Sequence, residues 1–170
     1  MSLFAVAGTT IHIGAARAGW MARRVSASDF SGETWLEVPD VQSIGRAGGE
    51  WALEEILLPD PAAPDAGPIT GHMKTAIGPA RLQLSMGASD GDEAYDRLLA
   101  AYHGEPAYGF RVVFPNGSER LFVAIAVSWN DVLDAANIAL ATEVGLMFQS
   151  SMVHLDPEGR EFNPETGMRA

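Results

Sequence analysis

The chain has 170 residues, 47% of them hydrophobic and 19% charged, enough for one domain around a single core. Its 22 acidic residues against 11 basic ones give a formal net charge of -11, which excludes capture of nucleic acid by phosphate neutralisation and repels it at long range. With no cysteine there is no disulfide framework and no thiolate zinc site, residues 1–8 lack the basic start of a signal peptide, and no apolar run is long enough for a membrane-spanning helix.

The first strand is expected at residues 9–15, where Ile11 and Ile13 face one way and Thr10 and His12 the other. Residues 26–34 are polar and contain Gly32, which marks a loop. Residues 35–44 read as one extended segment with Leu36, Val38 and Val41 as its apolar members; Pro39 inside it suggests an edge or a bulge. Residues 45–49 turn, and 51–58 resume as a strand carrying Glu54 and Glu55. Residues 59–79 then hold Pro59, Pro61, Pro64, Pro68 and Pro79, half of the ten prolines in the chain. Such a stretch is too long and too proline-rich for an ordinary connection. It is either a disordered surface loop or an arm that orders against a neighbouring subunit.

After a short strand at 81–86, a helix is expected at about 89–103. Ser89 or Asp90 is the expected N-cap, with Glu93 completing a capping box, and Ala94, Leu98 and Ala101 form its apolar face. Gly104 and Pro106 end it. Residues 108–114 alternate as a strand with Phe110, Val112 and Phe114 on one face, and Asn116-Gly117 predicts a type I′ hairpin turn. Leu121, Val123, Ile125 and Val127 share a face of the return strand. Ile138, Leu140, Thr142, Val144, Leu146 and Phe148 alternate without a break, in a strand expected to run to about Leu155. The expected domain is 1–155, followed by a polar, flexible tail at 156–170. The fold class is mainly β: an antiparallel sandwich or barrel with one flanking helix.

Signatures of enzymatic chemistry are missing from this order. His12, His72, His103 and His154 are scattered outside any metal-ligand spacing, and neither a Gly-x-Ser-x-Gly elbow nor a phosphate-cradling glycine loop occurs. Asp90-Gly91-Asp92-Glu93 reads as helix capping rather than a calcium loop. The expectation is a protein without catalytic residues, metal or cofactor.

The order of strand, extended segment, arm, helix, hairpin and long strand over about residues 7–155 resembles the tail tube proteins of long non-contractile, lambda-like phage tails. The resemblance is carried by Ala7-Gly8-Thr9-Thr10-Ile11-His12-Ile13-Gly14, by the segment from Trp35 to Gly45, by the helix around Ala94-Tyr95-Asp96-Arg97-Leu98, by Tyr108-Gly109-Phe110-Arg111-Val112-Val113-Phe114-Pro115-Asn116-Gly117, and by Phe122-Val123-Ala124-Ile125-Ala126-Val127-Ser128-Trp129. It implies a subunit of the virion tail, assembled in the host bacterial cytoplasm. Rings of six copies would stack into a hollow tube through which DNA passes without specific binding. The partners implied are other copies of the chain, a tail terminator, a tape measure protein and distal tail proteins, with no membrane.

On this expectation Ile69, Met73 and Ile77 of the arm are candidate inter-ring contacts, the alternative being ordinary loop residues tucked on their own core. Asp40, Glu54, Glu55 and Glu143 are candidate lumen acids that would keep DNA from adhering, the alternative being solvated acids on the outer wall. Competing readings are a tube of the same fold in a secretion or gene-transfer device, a connector or terminator at a tail end, and, from another class, a small-ligand-binding β-barrel.

Overall fold

The computed structural model describes residues 7–78, 80–88, 91–133 and 141–162, with Ile77 described by its backbone alone. Ten strands and one helix follow in order: β1 (Thr10–Arg17), β2 (Leu36–Glu37), β3 (Val41–Ile44), β4 (Trp51–Leu58), β5 (Ile69–Ile77), β6 (Arg81–Gly87), α1 (Glu93–His103), β7 (Ala107–Val113), β8 (Glu119–Val132), β9 (Ala141–Phe148) and β10 (Val153–Leu155). The pairings are antiparallel, as expected. The main sheet runs β2-β1-β7-β8-β9-β6-β3, with β10 added on β8, and β4 with β5 makes a separate two-stranded ribbon.

β2 and β3 occupy opposite edges of the main sheet, yet only Val38, Pro39 and Asp40 separate them in the chain. Glu37 and Val41 are four residue steps apart, about 14 Å at most. The sheet must therefore curl until its edges nearly meet. Val38 donates its N–H to the Ile11 carbonyl at 2.9 Å on one side of this seam, and Gly87 donates to the Asp40 carbonyl at 2.9 Å on the other. Asp40 makes the corner at φ 50, a left-handed conformation that aspartate tolerates better than most residues.

Inside the curl lies the main core: Ile11 and Ile13 of β1, Leu82, Leu84 and Met86 of β6, Phe110 and Val112 of β7, Phe122, Ala124 and Ala126 of β8, and Val144, Leu146 and Phe148 of β9. Phe122 stacks on Phe148 at 4.2 Å and on Phe110 at 5.6 Å between ring centroids. α1 packs Ala94, Tyr95, Leu98 and Ala101 into this core, the face its period dictates. Arg97 ties the helix to the Gly14 carbonyl at 3.3 Å.

The other face of β8 is buried as well. Leu121 and Val123 join Phe30, Ala107, Val153 and Leu155 in a second cluster, against which Trp20, Val25 and Trp35 pack. A short 3-10 turn at Ala27–Phe30 delivers Phe30, and Ser26 and Asp29 form its capping box. Arg17 and Glu33 pair at 2.5 Å beneath this layer, and Glu33 also accepts from the Ala15 N–H in the bulge of β1. A side chain at Gly14 would displace the Glu33 carboxylate from its bonds to Ala15 and Arg17.

Several local expectations change. The 35–44 segment is two strands, because its pairing partners sit on different sides of the seam. The helix cap is Asp92, whose carboxylate accepts from the N–H groups of Ala94 at 2.8 Å and Tyr95 at 3.2 Å. Glu93 is thereby the first helical residue and closes no capping box; Ser89 and Asp90 lie outside the described residues. The hairpin between β7 and β8 is a type I turn, Gly117 N–H to Phe114 carbonyl, followed by a bulge with Gly117 at φ 83. Pro115 enforces this, since its ring holds φ negative at the position where type I′ needs it positive.

Val127 leaves the Leu121–Val123–Ile125 face because β8 has a register shift between Ala126 and Ser128, and it stands 43% exposed. β9 ends at Phe148. After Ser150 bonds the Val123 N–H, the chain rejoins β8 as β10. Ile138 and Leu140 lie outside the described residues. Asp156 accepts from the N–H groups of Glu158 and Arg160 and pairs with the Arg160 guanidinium at 2.9 Å, turning the chain back until Phe162 meets His154.

Candidate assembly surfaces

Beyond Ala124, β8 outruns β7, and its second half pairs with β9 alone among the described strands. β9 pairs with β6 and β6 with β3. Among the described residues this makes a four-stranded wall with two open edges, the end of β8 and β3. Its inward rows are core, such as Leu84–Val144–Trp129. Two adjacent outward rows are small and polar, Gln83–Gly145–Ser128 and Ser43–Ser85–Glu143–Asn130, while the next, Arg81–Met147–Ile125, is larger. Gly145 leaves room for the Ser128 hydroxyl, which a Cβ there would force into another rotamer. Glu143 accepts from the Gln83 side-chain amide at 2.7 Å, a contact across 60 residues that no local pattern announces.

The β3–β6 ladder does not stop at the wall. Gly45 donates to the Gln83 carbonyl, Gly48 bridges Arg81, and Gly78 donates to the Glu50 carbonyl at 2.8 Å. From there Trp51 pairs with Ile77, and the ribbon runs out to Leu58 opposite Ile69. The wall edge and the ribbon are one continuous hairpin. The expected arm at 59–79 is thus half of a structure that begins at Trp51. Its proline-rich part, with a 3-10 turn at Pro64–Ala66, is the tip, and Ile69–Ile77 is strand because no proline interrupts it. Pro79 lies outside the described residues.

The ribbon register sorts the sequence candidates. Ile69 and Met73 share one face with Ala52, Glu54, Ile56, Leu58 and Ala76, and both stand 48% exposed. Ile77 pairs with Trp51, and its side chain lies outside the description. Glu55 is on the opposite face, with Trp51, Leu53, Leu57, Thr70, His72 and Lys74; the Lys74 ammonium lies over the Trp51 ring at 5.5 Å. Glu54 and Glu55 therefore point away from one another. Asp40 sits in the seam and Glu143 on the outward face of the wall, so the four acids do not form one cluster.

His12 and His154 are mostly buried and His72 and His103 exposed. Burial, aided by the Arg111 guanidinium, holds His12 below the usual imidazole value, against the raising influence of Glu37 at 3.8 Å. Burial and Arg120 do the same for His154. Among the described residues no three His, Asp or Glu side chains gather as a metal site.

No family model matches the chain, and no curated protein matches its sequence. Solved structures do match. A chain of the anti-feeding prophage baseplate is similar at 14% identity over 93% of this chain and 99% of that one, with a TM-score of 0.58. A chain of the sheath/tube terminator of the PVC extracellular contractile injection system is similar at 13% identity over 91% and 97%, TM-score 0.56. The SPP1 tail tube is similar at 12% identity over 86% of this chain and 75% of that one, TM-score 0.52. The chain has the fold found in these phage-tail and injection-device assemblies.

Proposed function

We propose that the chain is a structural subunit of a phage-type tail tube and carries no catalytic activity. The observation that carries the reading is the four-stranded wall: two open strand edges, two small and polar outward rows, and a ribbon leaving one edge. An open edge is an aggregation hazard in a lone subunit. In a ring the end of β8 in one copy meets β3 of the next, and both edges of the wall are paired. Rotation about an axis closes the ring, and stacking through the ribbon, which does not close, gives a filament.

In this reading six copies form each ring, and the outward face of the wall lines the lumen. Glu143 is the acid best positioned to meet passing DNA, held by Gln83. Asp40, Glu54 and Glu55 belong to the seam and the ribbon and would act in the lumen only through their neighbours. Lambda-like tails, DNA ejection, assembly in the bacterial cytoplasm, and partnership with a terminator, a tape measure protein and distal tail proteins follow by analogy. A tube of an injection or gene-transfer device has the same support from the shared fold. The ligand-binding barrel loses support, because the interior of the curl is filled by Phe110, Phe122, Phe148 and their neighbours.

Electron microscopy of the purified protein at high concentration, with light scattering for mass, tests the proposal. Hollow filaments of stacked rings are expected. A compact monomer at every concentration, including in the presence of preformed tail tips, refutes it.

A further inference from the structure

The ribbon exposes apolar side chains on both of its faces. On one, Leu58, Ile69 and Met73 are 43%, 48% and 48% exposed; on the other, Trp51, Leu53 and Leu57 are 45%, 62% and 67% exposed. A ribbon lying flat on one neighbour covers only one of these sets and leaves the other in water. The faces also differ in chemistry. The Ile69–Met73 face has one charge, Glu54, among Ala52, Ile56, Leu58, Gly71 and Ala76. The Leu53–Leu57 face carries Glu55, His72 and Lys74 between its apolar groups.

Charge identifies the partner as this same chain. The outer ribbon and tip carry Glu54, Glu55, Asp60 and Asp65, whereas the root carries exposed Arg46 and Arg81 against one acid, Glu50, with Lys74 close by on the ribbon. Tip and root are complementary, so the tip of one copy fits the root of another.

We propose that each ribbon is clasped between two further copies of the chain, one on its apolar face and a second on its mixed face, with the acidic tip directed at an arginine-bearing root. The inference rests on the tube reading and specifies its partner geometry. A tube so built is tied laterally as well as axially, because one ribbon joins two copies that need share no other contact.

The chain has no cysteine, so single thiols can be placed on each face. Leu57→Cys and Leu58→Cys are neighbours on opposite faces, with Thr70→Cys and Ile69→Cys as alternates on the same faces should the first pair impair folding or assembly. Reaction with a maleimide-polyethylene glycol is compared in free subunits and in filaments. Both thiols should react in the free subunit and lose reactivity in the filament. A maleimide–diazirine photocrosslinker, attached in the free subunit and diluted into unsubstituted chain before assembly, should on irradiation give dimers from each single variant and trimers from the Leu57→Cys/Leu58→Cys variant. Filaments in which either thiol stays as reactive as in the free subunit overturn the two-sided clasp and leave the tube reading standing. Absence of filaments from the unsubstituted chain overturns both.

Discussion

Removing the ribbon separates folding from assembly. The Gly78 N–H to Glu50 carbonyl bond brings the ribbon's two ends together, so 51–77 can be excised and Glu50 joined to Gly78 through two glycines. None of the buried core residues lies in the excised stretch. Stability should therefore change by no more than about 1 kcal/mol from lost contacts, and the shorter connection between β3 and β6 offsets part of that. Assembly should respond very differently. The six exposed large apolar side chains present on the order of 600 Å², worth roughly 15 kcal/mol gross when covered. Association itself costs about 4–15 kcal/mol, so losing the ribbon should abolish stacking at any practical concentration. Urea denaturation gives the first quantity, and sedimentation with electron microscopy the second. A variant that folds and still forms filaments at the wild-type concentration refutes the role given to the ribbon. A variant that fails to fold refutes the separation of ribbon and core.

Three further outcomes are expected. Phe122→Ala removes the middle ring of the Phe110–Phe122–Phe148 stack and should cost about 3–5 kcal/mol in urea denaturation. Glu33→Ala leaves the largely buried Arg17 guanidinium without its carboxylate, with only the Asp29 carbonyl as acceptor, and should cost about 3 kcal/mol, whereas Arg17→Met/Glu33→Gln should recover much of it. His12 and His154 are held below the ordinary imidazole value of 6.5 in the folded chain, chiefly by burial, so the unfolded chain binds more protons as pH falls below 6.5. Stability should accordingly be full above that value and decline on acidification through it. Denaturation midpoints across this window should flatten in the His12→Gln/His154→Gln variant, and an unchanged slope would show that other groups set it.

Local periodicity made much of the fold legible. Ile11 and Ile13, the Ala94–Leu98–Ala101 helix face, and the Val144–Leu146–Phe148 alternation all face the core as their spacing demands. Contacts distant in sequence were not legible. The split between β2 and β3 follows from the closing of a sheet whose edges are set by strands far along the chain. The Gln83–Glu143 bond spans 60 residues with no pattern to mark it. The prolines flanking Ile69–Ile77 obscured a strand whose own residues contain none. The capping box at Ser26 and Asp29 was visible as a spacing, but lay in a stretch read only as polar loop. Of the site residues, Ile69 and Met73 emerge together on an exposed face, while the four acids are dispersed by registers that sequence spacing alone does not set.

The seam at Val38–Asp40 gives the cylinder an unusual mechanical character. Elsewhere its circumference is sealed by ladders of backbone bonds, and widening it would break several at once. At the seam the covalent chain itself is the closure, with the Val38 N–H on the Ile11 carbonyl and the Gly87 N–H on the Asp40 carbonyl among its ties. The subunit is in effect a split collar buckled by its own backbone, and a wall strand, β3, begins immediately beside the buckle.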